Sequence, residues 1–335
     1  MTAHGRPATI YDVAGLAQVS IATVSKALNA PAKVAEPTRR RVLEAIRQLN
    51  FVPKETATSR ARRSARRIGV FAPFSTYPSF AERLNGILTA ESNQPVEVVV
   101  HDVQSAAESG RVLEALPALR SYDGVIIMSV PLSQEAADAL RHGHLPAVLV
   151  DVAGYGLPSV TTDDEQGGRL AANALIRTGR TRFAFLGHRQ VLPELESPSQ
   201  RRLLGFRAGL AEAGFQLDPN ATALAGPTFE DAIRAAIDLV GASAVPTGVF
   251  AHTDELAAAV HLVARRLGRA IPQDIALVGY DDSSIASALD LTTIRQPLRQ
   301  TGEWALRALN ALISDPEAVA ASVTLPVGII RRGST

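Results

Sequence analysis

The first 50 residues contain three short stretches in which apolar residues recur at helical spacing. Thr9 and Asp12 form a capping box before the first stretch, Ser20 can cap the second, and Pro37 and Thr38 open the third. The positions predicted to face inward are Ile10, Val13, Ala14 and Ala17 in the first, Val24, Ala27 and Leu28 in the second, and Val42, Ala45, Ile46 and Leu49 in the third. The pattern predicts three short helices around one small core.

The second of these helices has an outer face that the predicted core does not use. Only two residues separate it from the first helix, and this arrangement places the start of a second helix in the major groove of DNA. Lys26 and Asn29 can donate to base edges or phosphates, and Ile21 and Ala22 can meet thymine methyl groups. The pattern therefore favours DNA binding, with a protein-binding three-helix bundle as the alternative.

From Ile68 onward, continuous apolar runs alternate with amphipathic helix patterns. The runs read IGVFAP, VEVVVHDV, GVIIMSV, PAVLVDV, RFAFLGH, TGVFAHT, IALVGYDD and VTLPVGII. Such runs are typical of parallel strands buried on both faces, and their alternation with helices predicts doubly wound α/β sheets. They fall into two groups, at about 68–160 and 162–288, which predicts two similar lobes with a ligand cleft at the carboxyl ends of the strands.

Charge divides the chain at the same place. Residues 1–67 hold 13 Lys and Arg against 4 Asp and Glu, and the remainder holds 21 against 29, although the net charge is only +1. A basic head on an acidic body indicates a polyanion partner for the head, because phosphate neutralisation dominates nucleic-acid affinity. An Arg-rich solvated tail is the alternative.

Composition excludes several other classes of protein. The chain has no cysteine, which excludes disulfides and thiolate chemistry and suits a reducing compartment. No apolar stretch reaches the roughly 18 residues of a membrane helix, and the first residues lack the apolar core of a secretion signal. We therefore expect a cytoplasmic protein that does not bind membranes.

The standard signatures of enzymes and cofactor sites are missing as well. The sequence has no GxGxxG after a strand, no GxxxxGK[ST] and no GxSxG motif. His142 and His144 are two apart, which suits a loop better than a helical zinc pair. Asp281 and Asp282 are adjacent, so in a strand they point to opposite faces and do not share a substrate. We expect no enzyme, no cofactor and no metal.

The segments TIYDVAGLAQVSIATVSKALN and VAEPTRRRVLEAIRQLNFVP resemble the DNA-binding helix-turn-helix domain of the LacI/GalR repressors, over a long match without gaps. The resemblance implies that Ile21, Ala22 and Lys26 read bases. It implies phosphate contacts or capping for a second set of residues, which are Thr9, Ser20, Ser25, Asn29 and Thr38. We count Tyr11 as a further DNA-binding candidate.

Residues 51–67, FVPKETATSRARRSARR, form the predicted hinge between head and body. They hold five arginines and one lysine against one glutamate, with no apolar period. In the family this stretch forms a helix on DNA with an Asn after the proline and a Leu in the minor groove, but here the matching residues are Lys54 and Arg60. Because arginine enters a narrow minor groove without unstacking bases, we expect DNA contact without a leucine wedge. A plain flexible linker is the alternative.

The resemblance extends through the body, as a two-lobed fold like that of periplasmic sugar-binding proteins, in RRLLGF, FAHTDELA, IALVGYDD and LTTIRQP. It implies that TTIRQP returns the chain to the first lobe and that the last strand rejoins the second. The expected organisation is a DNA-binding domain at 1–50, a hinge at 51–67 and an effector-binding and dimerisation domain at 68–335, with lobe one at about 68–161 and 290–317 and lobe two at about 162–289 and 318–335.

Polar residues at the predicted strand ends are the candidates for an effector site. A carboxylate and a guanidinium can each make two hydrogen bonds to carbohydrate hydroxyls, and Asp281 and Arg202 supply that pair at positions that match ligand contacts of the family. An ion pair between the lobes is the alternative for these two. The other candidates are Ser129, Asp151 and Thr253, for which helix capping is the alternative, and Phe74 and Phe80, which can stack on a sugar ring or pack in the core.

These observations predict a homodimeric transcriptional repressor that binds a pseudo-palindromic operator and is released by a small-molecule effector, with a mono- or oligosaccharide as the expected ligand. A regulator that depends on a corepressor, either a purine as in some relatives or a protein partner, stays open. A transport protein would need a signal peptide, and a sugar-modifying enzyme would need a catalytic constellation. The last residues show no leucine heptad, so we expect a dimer and not a tetramer.

Overall fold

The computed structural model describes residues 8–29, 33–49, 51, 65–74, 77–92, 95–103, 113, 121–130, 132–189, 197–241, 248–315 and 321–335. These residues form a small helical domain and two α/β lobes. Lys54 and Arg60 lie outside the described residues. Within the described part of the chain, no helix is both long enough and apolar enough to cross a membrane.

The head consists of α1 (Ile10–Ala17), α2 (Ile21–Asn29) and α3 (Glu36–Gln48). The capping box between Thr9 and Asp12 is confirmed, since each side chain bonds the other residue's backbone N–H. One core unites the three helices through Val13, Ala14, Ala17, Val24, Ala27, Val42, Ala45, Ile46 and Phe51. The remaining predicted inward positions, Ile10, Leu28 and Leu49, are partly buried at its edge.

The first lobe is built on a six-stranded parallel sheet in the order β11, β5, β4, β3, β1, β2. Its strands are β1 (Arg66–Ala72), β2 (Val96–Asp102), β3 (Gly124–Met128), β4 (Ala147–Val150), β5 (Ser159–Thr162) and β11 (Val323–Leu325). The helices α4 (Ser79–Thr89) and α11 (Leu298–Ser314) pack on one face, and α5 (Gln134–His142) packs on the other. Coverage of both faces explains the continuous apolar runs of the central strands.

The second lobe contains a six-stranded sheet in the order β12, β10, β9, β8, β6, β7. Its strands are β6 (Phe183–His188), β7 (Thr222–Ala225), β8 (Gly248–Ala251), β9 (Ala276–Asp281), β10 (Thr292–Arg295) and β12 (Gly328–Ile330). Only β12 runs antiparallel among the described strands. Its helices are α6 (Asp164–Ile176), α7 (Pro198–Glu212), α8 (Phe229–Val240), α9 (Asp254–Arg266) and the short α10 (Ser284–Ala288). The predicted doubly wound architecture is confirmed, with an antiparallel strand added at one edge.

The chain passes from one lobe to the other at three segments, which we call crossings, and two of these lie at different residues from those predicted. The TTIR segment is β10 and pairs with β9, so the chain leaves the second lobe after Arg295 and not near residue 290. The run VTLPVGII, predicted as one strand, is split between the sheets, with β11 in the first and β12 in the second. Pro326 separates the two pieces, and a proline cannot donate to a strand ladder. The third crossing therefore lies between Leu325 and Gly328.

Candidate functional site

The outer face of α2 carries exposed side chains, as predicted. Ile21 is 39% exposed, Ala22 and Lys26 are exposed, and Ser25 is partly buried. Ser20 caps this helix, because its Oγ accepts the backbone N–H of Thr23 at 3.1 Å. The first turn of α2 thus exposes two apolar side chains, and its later part exposes one ammonium group. This combination suits the major groove of DNA, which presents thymine methyl groups beside the phosphates.

The remaining DNA-binding candidates divide into three groups. Thr9 bonds Asp12 through its hydroxyl at 2.6 Å, and Thr38 lies partly buried in the first turn of α3, so both belong to helix starts. Tyr11 is 69% exposed on α1. The side chain of Asn29, like Lys54 and Arg60, lies outside the described residues.

At the carboxyl ends of the strands, three predicted residues adopt a left-handed backbone conformation. Ser129 has φ of 51°, Asp151 has φ of 63° and Asp281 has φ of 110°. Side chains other than glycine rarely adopt such conformations, which persist where the surroundings hold them in place and which cluster at functional sites. Ser129 Oγ donates to Asp151 Oδ2 at 2.8 Å, so two of the three form one polar group.

The residue that completes this group was not predicted from the sequence. Arg83, on α4, donates from Nη2 to Asp151 Oδ1 at 2.9 Å, and the two side chains are only 3% and 6% exposed. The same nitrogen reaches Gln296 Oε1 at 3.4 Å. A signal for Arg83 was present, since it lies with Phe80 and Ile87 on the apolar stripe of its helix, where a charged residue requires a buried partner.

Gln296 joins the two lobes at the crossing after β10. Its Oε1 accepts from Thr162 Oγ1 at 3.2 Å, and its Nε2 donates to Asp281 Oδ1 at 2.5 Å. Gln296 is 6% exposed and Asp281 is 8% exposed. A continuous hydrogen-bonded chain therefore runs from Asp151 of the first lobe to Asp281 of the second, through Arg83 and Gln296.

Asp281 and Arg202, the two predicted ligand contacts, have different partners in this structure. Among the described residues, the carboxylate that pairs with Arg202 is Asp164, whose Oδ1 accepts from Nε at 2.8 Å. Arg202 Nη1 also donates to the carbonyl of His252 at 2.7 Å, and its guanidinium lies 3.6 Å from the centre of the Tyr280 ring. Asp164 lies this close because it begins the helix packed directly against that of Arg202. The prediction that Asp281 and Arg202 both contact a ligand stays a prediction.

Burial sets the ionisation of these groups. Burial raises the pKa of Asp281 to about 8, against the opposing effect of the Arg202 charge. Burial alone would lower the pKa of Arg202, but the carboxylates of Asp164 and Asp281 outweigh it and raise that pKa. Burial, reinforced by Arg202, holds the pKa of His252 well below its ordinary value. At neutral pH the site therefore contains charged guanidiniums beside a mostly protonated Asp281.

The last three predicted residues serve the fold in this conformation. Thr253 caps α9, since its Oγ1 accepts the backbone N–H of Leu256 at 3.2 Å. Phe80 is 4% exposed in the core of the first lobe. Phe74 is partly buried and contacts the Phe80 ring edge-on, with 6.3 Å between ring centres. Packing is the role that the structure gives to Phe80, whereas Phe74 lies at the core's edge.

Two further contacts join the lobes. Arg201 Nη2 donates to the Asp151 carbonyl at 3.1 Å and to Asp164 Oδ2 at 3.2 Å. The rings of Tyr77 and His188 meet edge-on with 5.3 Å between centres. Arg201 adjoins Arg202 in the segment RRLLGF, so the resemblance marked its position, but only the folded structure brings it to Asp151.

Comparisons with known proteins agree with the observed fold. Residues 9–54 match the bacterial regulatory proteins of the lacI family, and residues 172–335 match the periplasmic binding protein-like domain. The HTH-type transcriptional repressor PurR of Vibrio cholerae serotype O1 (strain M66-2) is 32% identical over 92% of this chain and 93% of its own. A CelR transcriptional regulator in complex with cellobiose has a TM-score of 0.71 and 27% identity, covering 98% of this chain and 100% of its own. A Lac repressor dimer bound to operator and an anti-inducer has a TM-score of 0.69 and 27% identity, covering 98% and 99%.

Proposed function

The chain belongs to the LacI family of bacterial regulatory proteins, and from that membership we propose that it acts as a homodimer on a pseudo-palindromic operator and is released by a sugar. As a member of the family it is a DNA-binding transcriptional repressor with an effector-binding domain. We place it in the cytoplasm, because that is where bacterial operator DNA lies.

The outer face of α2 supports the DNA-binding half of the proposal. In the proposed complex, Ile21 and Ala22 meet base edges and Lys26 contacts a phosphate or a base. Thr9 and Ser20 cap the starts of α1 and α2, and Thr38 lies in the first turn of α3. Two such helices, related by a twofold axis, enter successive major grooves. The twofold arrangement requires an operator with inverted half-sites.

The hydrogen-bonded chain from Asp151 to Asp281 is the observation that carries the effector half. It lies where parallel strands of both lobes end, which is the usual ligand position in such sheets. It offers both donors and acceptors, as sugar hydroxyls require. We assign effector contacts to Ser129, Asp151, Asp281 and Arg202, with Thr253 and Phe74 at the margin. The cellobiose complex of the related regulator supports a sugar as the ligand class.

The proposed mechanism follows from the crossings between the lobes. A ligand that replaces contacts within the hydrogen-bonded chain from Asp151 to Asp281 changes how the lobes pack. This change moves the two DNA-binding heads of a dimer relative to each other. The affinity for operator then depends on the occupancy of the cleft. Such coupling typically amounts to about 1–3 kcal/mol.

Fluorescence anisotropy with a labelled palindromic site from the protein's own upstream region tests the proposal. The full-length protein is bound to this DNA and titrated with a panel of mono- and oligosaccharides, while sedimentation equilibrium reports the stoichiometry. We expect two chains on each DNA duplex and release by one sugar. Failure to bind any palindromic site, or binding as a monomer, would contradict the operator half of the proposal.

A corepressor such as a purine is the second candidate, and the same titration separates it from an inducer. A corepressor raises the anisotropy at low protein concentration, whereas an inducer lowers it. Asp281→Ala is the accompanying variant, and it should abolish the response to ligand while leaving operator affinity within about twofold. A response that survives in this variant would remove Asp281 from the effector site.

A further inference from the structure

Two arginines from different lobes converge on Asp151. Arg83 of the first lobe donates to the Asp151 carboxylate, and Arg201 of the second donates to its backbone carbonyl. The side chain of Arg83 is 3% exposed and that of Arg201 is 20% exposed. The Asp151 carboxylate therefore bonds the Arg83 guanidinium of its own lobe, and the Asp151 backbone carbonyl bonds the Arg201 guanidinium of the other lobe.

Each of these guanidiniums retains an unused buried donor. The Nε–H groups of Arg83 and Arg201 are buried and have no hydrogen-bond acceptor. A buried donor without an acceptor costs about 1–3 kcal/mol, so such a group in a native protein calls for a partner. The two unused donors lie on side chains that both bond Asp151 in the proposed effector site, which indicates that the effector supplies acceptors there.

The balance of charge around Asp151 and Asp164 favours an effector group that carries negative charge. Three guanidiniums, those of Arg83, Arg201 and Arg202, share the carboxylates of Asp151 and Asp164. Asp281 adds little negative charge at neutral pH, because burial raises its pKa to about 8. Asp254 bonds the backbone N–H of Ser283 and the hydroxyl of Thr293 and not these arginines.

We propose that the effector is an acidic carbohydrate, whose carboxylate or phosphate group binds between Arg83 and Arg201. The proposal rests on the proposed function and narrows its ligand class. A carboxylate or phosphate accepts hydrogen bonds without donating any, and it matches the planar fork of a guanidinium. A neutral hydroxyl can also accept from a guanidinium, but it brings no negative charge to balance the three arginines. An anion held by both arginines also ties the first lobe to the second.

Isothermal titration calorimetry on the full-length protein tests this with matched pairs of ligands. The pairs are D-glucuronate with D-glucose and D-galacturonate with D-galactose, and glucose 6-phosphate is compared with glucose. We expect at least one acid to bind about tenfold or more tightly than its neutral parent. Preference for a uronate identifies a carboxylate, and preference for glucose 6-phosphate identifies a phosphate.

Variants connect the preference to the two arginines. Arg201→Gln should reduce the ratio of acid to neutral affinity to about one while the protein still binds operator. Arg83→Gln alone leaves Asp151 buried without a cation, so the double variant Arg83→Gln, Asp151→Asn is used with it, and melting by circular dichroism checks that each folds. Arg234→Gln is the matched control, because Arg234 is 73% exposed and pairs with Asp231 on its own helix.

Each outcome decides the proposal. Equal binding of acids and neutral parents, or a preference that survives both Arg201→Gln and the double variant, overturns the acidic ligand and leaves the sugar-released repressor standing. If no acid in any pair binds a protein that still binds operator, the acidic ligand is overturned, whereas release by a neutral sugar is decided separately by the anisotropy titration with the panel of mono- and oligosaccharides.

Discussion

At the scale of single residues, Asp281 shows how position changes the chemistry of a side chain. Asp281 ends β9 with a left-handed backbone conformation. Its side chain is buried, so few water molecules can solvate an ionised carboxylate there. The charge of Arg202 lowers its pKa, the charges of Asp254 and Glu255 raise it, and burial is the largest effect. The result is a carboxyl group that exchanges its proton near pH 8 and not near pH 4.

Asp281→Asn should change how stability depends on pH. The pKa of Asp281 is about 8 in the folded protein and near 3.8 in the unfolded chain, so the folded state holds the proton more tightly between these two pH values. The contribution of the Asp281 carboxyl to the free energy of unfolding is therefore fully present below about pH 4 and declines as pH rises towards 8. Urea unfolding at several values between pH 5 and pH 8 should give a flatter profile for the variant. Parallel profiles, or the same flattening in the exposed control Asp238→Asn, would contradict the raised pKa.

Lys26→Ala should weaken operator binding, because Lys26 is exposed on the outer face of α2. Loss of one phosphate contact makes the slope of log affinity against log salt concentration less steep by about one. Anisotropy titrations at several salt concentrations measure this slope. Arg234→Ala removes one positive charge from the second lobe and should leave the slope unchanged. An unaltered slope in Lys26→Ala would remove Lys26 from the charged contacts.

At the scale of elements, the contact between α6 and α7 positions Arg202. A Cβ atom added at Gly205 would lie 1.9 Å from the backbone oxygen of Glu165, and one at Gly168 would lie 2.1 Å from the backbone oxygen of Arg202. The two helices therefore touch backbone to backbone. This close approach brings Asp164, at the start of α6, within 2.8 Å of Arg202 on α7.

Gly205→Ala should push these two helices apart. The added methyl group cannot fit without backbone movement, and overpacking of this kind costs about 1–3 kcal/mol of stability. The movement also separates Arg202 from Asp164, so we expect weaker effector binding. Denaturant unfolding and ligand titration measure the two effects. Leu204→Ala on the exposed side of α7 should change stability by about 0.5 kcal/mol or less. Equal stability of the two variants would contradict the tight packing.

At the scale of the whole molecule, three crossings connect the lobes, and the proposed effector site lies beside them. Gln296 lies on the second crossing and bonds Thr162 at the first, as well as Asp281 at the end of β9. A change in the site therefore acts directly on the segments that orient the lobes. The proposed coupling between effector and operator rests on this placement, because occupancy of the proposed site and packing of the lobes would involve the same hydrogen bonds.

Effector and operator should weaken each other's binding by the same factor. Thermodynamic linkage requires this equality for two sites on one protein, and factors of about 5–150 are typical. The factor is measured once as the loss of operator affinity in saturating effector and once as the loss of effector affinity on a protein saturated with operator. Unequal factors would mean that the titrated ligand does not act through a single binding site.

The sequence by itself determined the elements of this protein, because helical and strand periodicity depend on neighbours along the chain. The capping box at Thr9, the inner faces of the three helices in the head and most strands of both lobes follow from that pattern. The strand ends at Asp151 and Asp281 follow as well. The basic head is a property of composition, which needs no fold.

Only the tertiary structure decided which side chains meet. Arg83 and Asp151 are 68 residues apart, and Arg202 pairs with Asp164 and not with Asp281, because the packing of α6 on α7 places that carboxylate nearer. The split of the last apolar run between two sheets depended on pairing partners elsewhere in the chain. Such contacts arise from the distances between elements in the folded protein, and the spacing of residues along the chain does not contain those distances.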